Sequence, residues 1–162
     1  MSSNYRRNVG IALFNPTGLV LLGRRFKDDG PEIIASGFEW QMPQGGIDDG
    51  EDPYPAALRE LFEEMGVRNV EYLSETGWLN YEFPPYCGPP HRLSGFCGQR
   101  QKWFALRFTG DDREIDVRGQ DNTCPEFDMW RWERLRQVPD IVVPFKRAVY
   151  QQVVKQFSFL TP

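Results

Sequence analysis

The sequence predicts an α+β fold, an α/β/α sandwich built on a mixed β-sheet. Three observations carry that prediction. A series of short apolar or alternating segments reads as strands. Only two segments have helical character, Pro53–Met65 in the middle and a stretch from Pro144 at the end. The 162 residues, 40% apolar and including 12 Phe, 5 Trp and 6 Tyr, suffice for one core-bearing domain spanning 1–162 and exclude a disordered chain.

Taken in order, Val9–Phe14 and Leu19–Leu22 flank Asn15-Pro16-Thr17-Gly18, the composition of a turn between two strands. Lys27–Gly37 is a polar loop, Glu39–Met42 a short strand stopped by Pro43, and Gly45–Gly50 a Gly/Asp loop. A helix follows: Asp52 is a suitable N-cap, Pro53 occupies the favoured first position, and Gly66 is a typical stop. Val70–Phe83 reads as one or two strands, Pro84–Gly98 as a Pro/Gly-rich loop, and Lys102–Phe108 and Met129–Trp132 as strands. Phe145, Val149, Val153 and Phe157 recur every four residues, with Ala148 and Val154 beside them, and form the stripe of a closing helix.

No apolar run approaches the ~18 residues of a membrane span. The polar start, Met1–Arg7, followed only by the short Val9–Phe14, does not have the form of a secretory leader. Cys87, Cys97 and Cys124 cannot all pair with one another and show no CxxC spacing, and His91 is the only histidine. A structural zinc site is therefore not expected. A reduced, cytoplasmic protein is expected.

Formal charge is −4, from 19 basic and 23 acidic residues. The total conceals a local excess. Asp48, Asp49, Glu51, Asp52, Glu60, Glu63 and Glu64 lie in one window with the single base Arg59, so this window carries −6 and the remainder +2. A remainder so weakly basic offers no stripe for duplex nucleic acid. On a wheel of 100° per residue, Ala57, Leu58, Leu61 and Met65 form the apolar stripe, while Glu60, Glu63 and Glu64 share an adjoining arc of about 100°. Like charges at i, i+3, i+4 repel, and the C-terminal half of a helix disfavours carboxylates. A segment that breaks both rules has the form of a functional site, and a hard divalent cation is the natural compensation. Arg59 is spaced to pair with Glu63.

Gly45, five residues, Glu51, seven residues, Arg59-Glu60-Leu61, one residue, Glu63-Glu64, one residue and Gly66-Val67 match every fixed position of the Nudix box. The chain thus resembles the Nudix hydrolases. Gly23-Arg24-Arg25-Phe26, Trp40-Gln41-Met42-Pro43-Gln44-Gly45-Gly46, Gln101-Lys102-Trp103-Phe104, Pro125-Glu126-Phe127-Asp128 and Val143-Pro144-Phe145-Lys146-Arg147 resemble its RNA pyrophosphohydrolases and dinucleoside polyphosphate hydrolases. The resemblance implies a Nudix fold and two or three divalent ions, Mg²⁺ or Mn²⁺, held by Glu60, Glu63, Glu64 and Glu126 with the carbonyl of Gly45 or Gly46. It implies that Glu51 and Arg59 shape the loop–helix unit and that Glu126 or Glu60 serves as base. It also implies that Arg25 and Phe145 sandwich a nucleobase, that Tyr81 contacts the ligand, and that Arg6 or Arg7 and Lys102 meet phosphates. Where relatives have Arg-Pro-Asn this chain has Arg6-Arg7-Asn8, which aligns Arg6 with the family arginine.

The residues alone offer plainer roles: Phe145 in the helix core, Tyr81 and Trp103 packed on the sheet, Arg25 and Glu126 in solvated loops. The implied substrate is a 5′-triphosphorylated RNA terminus or a dinucleoside polyphosphate. A dedicated diadenosine tetraphosphate hydrolase is the alternative. A sensing module without catalysis is the third reading, and the intact set of glutamates opposes it.

Overall fold

The computed structural model describes residues 4–120 and 122–162, so the polar start is seen only from Asn4 onward. Strand β1 (Tyr5–Phe14) turns into β2 (Val20–Arg25) through a loop organised by Asn15. The Asn15 side-chain oxygen accepts from the backbone N–H groups of Thr17 and Leu19 at 3.1 and 2.9 Å. Strands β3 (Trp40–Gln41) and β4 (Gln44–Gly46) precede helix α1 (Pro53–Met65). Strands β5 (Val70–Glu82), β6 (Gly98–Phe108) and β7 (Phe127–Glu133) follow. The chain closes with a short helix α2 (Val138–Ile141) and helix α3 (Arg147–Phe157).

The strands form one sheet in the order β3-β2-β1-β6-β5, with β4 also on β1 and β7 also on β2. The β1–β6 pair is parallel and the others antiparallel. The sheet is therefore mixed. Because the later halves of β1 and β6 are covered on both faces, Val9–Phe14 and Trp103–Leu106 read as nearly unbroken apolar runs. Val9, Ile11, Leu13, Phe104 and Leu106 pack with Ala56, Ala57, Leu61 and Met65 of α1. Ala12, Phe14, Trp103 and Ala105 pack on the other face with Val149, Tyr150, Val153 and Phe157 of α3. This is the α/β/α sandwich expected.

Helix α1 has its expected bounds. Gly66 ends it at φ 70°, donating its N–H to Phe62 O at 2.8 Å. Asp52 occupies the N-cap, but its side chain caps nothing. Two expectations need correction, and one left open, one strand or two over Val70–Phe83, is resolved. Gly45 and Gly46 belong to strand β4 rather than to a loop, because they pair with Val9 and Asn8. The Val70–Glu82 segment is one strand, with register shifts at Tyr72/Ser74 and Glu75/Trp78. In the closing helix Ala148 is exposed and Tyr150 takes the inward place, because at 100° per residue the Val149, Val153 and Phe157 stripe drifts toward Tyr150 and away from Ala148; Pro144–Lys146 is a 3₁₀ turn. Cys87, Cys97 and Cys124 are free and exposed. Among the described residues no helix is long and apolar enough to cross a membrane.

Trp103 joins the layers. Its indole is fully buried, donates Nε1–H to Gln101 Oε1 at 3.0 Å, and meets the Tyr150 ring edge-on at 5.3 Å. Tyr150 Oη in turn accepts the Met42 N–H at 3.0 Å, which ties α3 to the segment between β3 and β4. Trp103→Ala is expected to cost about 3–5 kcal/mol through the cavity it leaves. The urea midpoint should fall with little change in slope, which measures that cost.

Candidate active site

Strand β4 is thin because two of its three residues are glycines. A Cβ on Gly45 would lie 2.0 Å from Glu60 Cδ, and one on Gly46 would lie 2.0 Å from an Arg6 guanidinium nitrogen. The strand thus lets a helix carboxylate press on it at one residue and an arginine at the next.

Arg59 joins that strand to α1. Its Nε and Nη2 donate to the two oxygens of Glu51 at 2.9 and 2.8 Å, and Nη2 also donates to Gly46 O at 2.9 Å. Nη1 donates to Glu60 Oε1 at 2.8 Å and to Glu63 Oε2 at 3.2 Å. The hydrogen-bonded guanidinium holds Glu51 below the usual carboxylate range. The i,i+4 pair with Glu63 is one arm of a larger hub.

Glu60 and Glu64 line a cleft of about 140 Å³ together with Gly45, Gly46 and Glu126. Glu63 does not line it; this side chain turns to Arg59. Burial pushes Glu60 up to about 7 against the pull of Arg59. Burial, reinforced by the charges of Glu60, Glu126 and Glu63, holds Glu64 well above the ordinary range. Glu126 is also raised by burial, although Arg25 lies 3.8 Å away. Glu64 Oε2 is buried and has no hydrogen-bond partner among the described residues. Also among the described residues, no three acidic, His or Cys side chains already converge on one point at ligating geometry, since Arg59 draws Glu60 and Glu63 to itself. An orphaned carboxylate oxygen, mutually repelling acids and an all-oxygen donor set nonetheless fit a hard divalent cation.

Of the expected substrate-binding residues, Arg6 lines the cleft. Arg7 and Lys102 do not. Strand alternation sends them to the other face of the sheet, where both approach the Trp78 ring, at 5.4 and 5.8 Å, and Lys102 pairs with Glu75 at 2.8 Å. Arg25 lines the cleft but is only 4% exposed, because its guanidinium donates to Glu32 O at 2.6 Å and, at 3.4 Å, to the carbonyls of Lys27 and Ile33. The 27–37 loop folds back over it, so Arg25 does not lie open as one plate of a sandwich. Tyr81 is 5% exposed and bonds Glu32 and Gln44. Phe145 is half-buried with its ring 5.8 Å from that of Tyr81.

Sequence reasoning missed the polar floor. Lys146 is buried, and its Nζ meets Glu32 Oε2 at 3.0 Å and Gln41 Oε1 at 2.9 Å. Burial lowers the Lys146 pKa, while Lys146 and Tyr81 outweigh burial to lower that of Glu32. Gln44 and Gln99 each leave a buried side-chain oxygen unsatisfied at this floor. One signal was available: Lys146 stands four residues before Tyr150 and so falls on the inward stripe. Nothing local distinguishes Glu32 from its polar loop.

The NUDIX domain family profile matches residues 4–153. An RNA pyrophosphohydrolase of Afipia carboxidovorans is 52% identical over 95% of this chain and 92% of its own length. One from Caulobacter vibrioides is 49% identical over 95% and 86%. The crystal structure of a MutT protein from Methanosarcina mazei superposes with a TM-score of 0.68 at 16% identity, covering 96% of this chain and 97% of that one, which is a likeness of fold.

The raised pKa of Glu60 has a stability consequence. A carboxyl that binds its proton more tightly when folded stabilises the protein below its unfolded value near 4.5, and that contribution is lost as pH rises through about 7. Carboxylates with lowered pKa, such as Glu51, act below that window. The melting temperature of metal-free protein should therefore fall between pH 5 and pH 8, and Glu60→Gln should flatten the fall. A melting temperature that rises over that range would show that the cluster is not strained by its charge.

Proposed function

Because the chain belongs to the NUDIX family, we propose that it is a divalent-metal-dependent pyrophosphohydrolase that converts 5′-triphosphorylated RNA ends to 5′-monophosphates. The observation that carries this reading is the cleft itself, which Glu60, Glu64 and Glu126 line together with Arg6. The carboxylates suit divalent cations and the Arg6 guanidinium suits a phosphate chain. The 52% identity to an RNA pyrophosphohydrolase supports RNA as the substrate.

Glu60, Glu63, Glu64 and Glu126, with the carbonyl of Gly45, would hold two or three Mg²⁺ or Mn²⁺ ions. Bound there, such ions neutralise non-bridging phosphate oxygens and acidify water. Glu126 or Glu60 takes the proton of the attacking water. Water attacks phosphorus, the phosphoanhydride bond breaks, and the leaving oxygen carries the electron pair away; no covalent enzyme intermediate forms. Arg6 stabilises the charge that develops on the chain. The terminal nucleobase rests on Phe145, backed by Tyr81, while Arg25 positions Glu126 and the 27–37 loop. Such stacking tolerates any base. Both cores share one sheet, which supports 1–162 as a single hydrolase domain. Its place of action is the cytoplasm.

Glu64→Gln should lower kcat by about 10²-fold or more with Mg²⁺, without lowering the melting temperature of the metal-free protein. Full activity in that variant would remove Glu64 from the site. A side-by-side assay of triphosphorylated RNA and diadenosine tetraphosphate at equal concentration tests the substrate, with RNA expected to be preferred. Preference for the dinucleotide would make the chain a dedicated diadenosine tetraphosphate hydrolase.

Contact confined to the terminal nucleotides implies a shallow salt dependence. A single-stranded contact contributes a slope of about −0.7 per neutralised phosphate. A log–log slope of RNA binding steeper than about −5 would indicate a long nucleic-acid track instead.

A further inference from the structure

Two loops meet over the cleft, one between β2 and β3 and the other between β5 and β6, and they meet at one carboxylate. Asp29 Oδ1 accepts from His91 Nε2 at 2.9 Å, and Asp29 Oδ2 accepts from Arg92 Nη2 at 2.6 Å. The two contacts differ in what else holds them. His91 Nδ1 accepts the Leu93 N–H at 3.1 Å, which makes Nε2 the donor to Asp29. The His91 ring packs directly on Gly30; a Cβ there would sit 2.6 Å from the ring, and the φ of 57° also calls for glycine. Leu93 is 1% exposed. The second loop is thus fastened by His91, Gly30 and Leu93 without help from Arg92.

Arg92 is otherwise unengaged. Its side chain is 55% exposed, only Nη2 is bonded among the described residues, and it lines the cleft with Arg6, Glu60, Glu64 and Glu126. Its charge reaches the site: after burial, Arg92 is the largest influence that lowers the pKa of Arg6. The two guanidinium charges repel within the cleft, Asp29 and Glu60 offset part of that repulsion, and a phosphate chain would relieve the rest. The guanidinium fork matches phosphate oxygens in the same paired geometry as a carboxylate.

We propose that Arg92 is a phosphate-binding residue of this cleft, parked on Asp29 in the free protein and drawn onto the substrate's phosphate chain opposite Arg6. Asp29 remains held by His91 when Arg92 leaves, so the loops stay fastened during the exchange. This rests on the polyphosphate reading above and adds a residue and a motion to it.

Arg92→Gln and Asp29→Asn separate this role from that of a loop latch. Binding of inorganic pyrophosphate with Mg²⁺, measured by calorimetry, is the first readout. The split of KM and kcat on a 5′-triphosphorylated oligonucleotide is the second. R92Q should weaken pyrophosphate binding and raise KM about tenfold, the loss of one charge-assisted contact, with kcat within about threefold. D29N removes the competing anion and should tighten pyrophosphate binding. The proposal stands if R92Q weakens binding and D29N does not. It falls if the two variants weaken binding alike, since the pair is then only a latch, or if R92Q binds as the parent does. Should the parent hydrolyse no triphosphorylated RNA, the functional reading fails while the pyrophosphate titration still decides the role of Arg92.

Discussion

The guanidinium of Arg59 is the constraint on which the acidic site depends. One rigid fork reaches the side chain of Glu51 in the loop, the carbonyl of Gly46 in the sheet, and Glu60 and Glu63 on the helix. A lysine could satisfy one or two of these acceptors; the planar, five-donor group meets all of them. One positive charge among several carboxylates leaves the cluster negative, as a cation site requires. Arg59 also leaves Glu64 alone, and Glu64 is the carboxylate with a buried, unpartnered oxygen. The hub therefore orients some acids and leaves another available.

The cleft lies where β4 flanks β1, and there opposite charges of the chain stand side by side. Asp29, Glu32, Glu60, Glu64 and Glu126 share the lining with Arg6, Arg25, Arg92 and Lys146, nearly balancing in formal charge. The net −4 of the sequence thus says little about the ligand. Opposite charges interleaved in one small space can take both a cation and an anion, whereas a uniform field would take only one of them.

The acidic helix was legible because its pattern is local. Pro53, Gly66 and the glutamate spacing all lie within the single stretch Pro53–Gly66, and helix α1 has the expected bounds. The sandwich was legible because several strand-like segments accompany only two helical ones, each with its apolar stripe written in its own sequence. What was not legible depends on partners distant in sequence. Gly45-Gly46 reads as a loop until β1 is there to pair with it. Arg7 and Lys102 look like equals of Arg6 until alternation assigns them to the other face. Arg25 looks solvated until the 27–37 loop closes on it. Lys146 and Glu32 are each implausible as buried residues alone, and only their contact at 3.0 Å makes either intelligible.

The parallel pairing of β1 with β6 has a kinetic consequence. Tyr5 lies opposite Gly98, and the register runs to Phe14 opposite Arg107, so most of the acidic unit's own chain must be looped out before these strands can zip. Closing so long a loop comes before the contacts that reward it. The Arg59 hub, built largely from near neighbours, can form early, but Arg6 has its place only once β1 is seated, and Glu126 arrives with β7. Hydrolytic competence is therefore a late event in folding, acquired when the two ends of the topology meet.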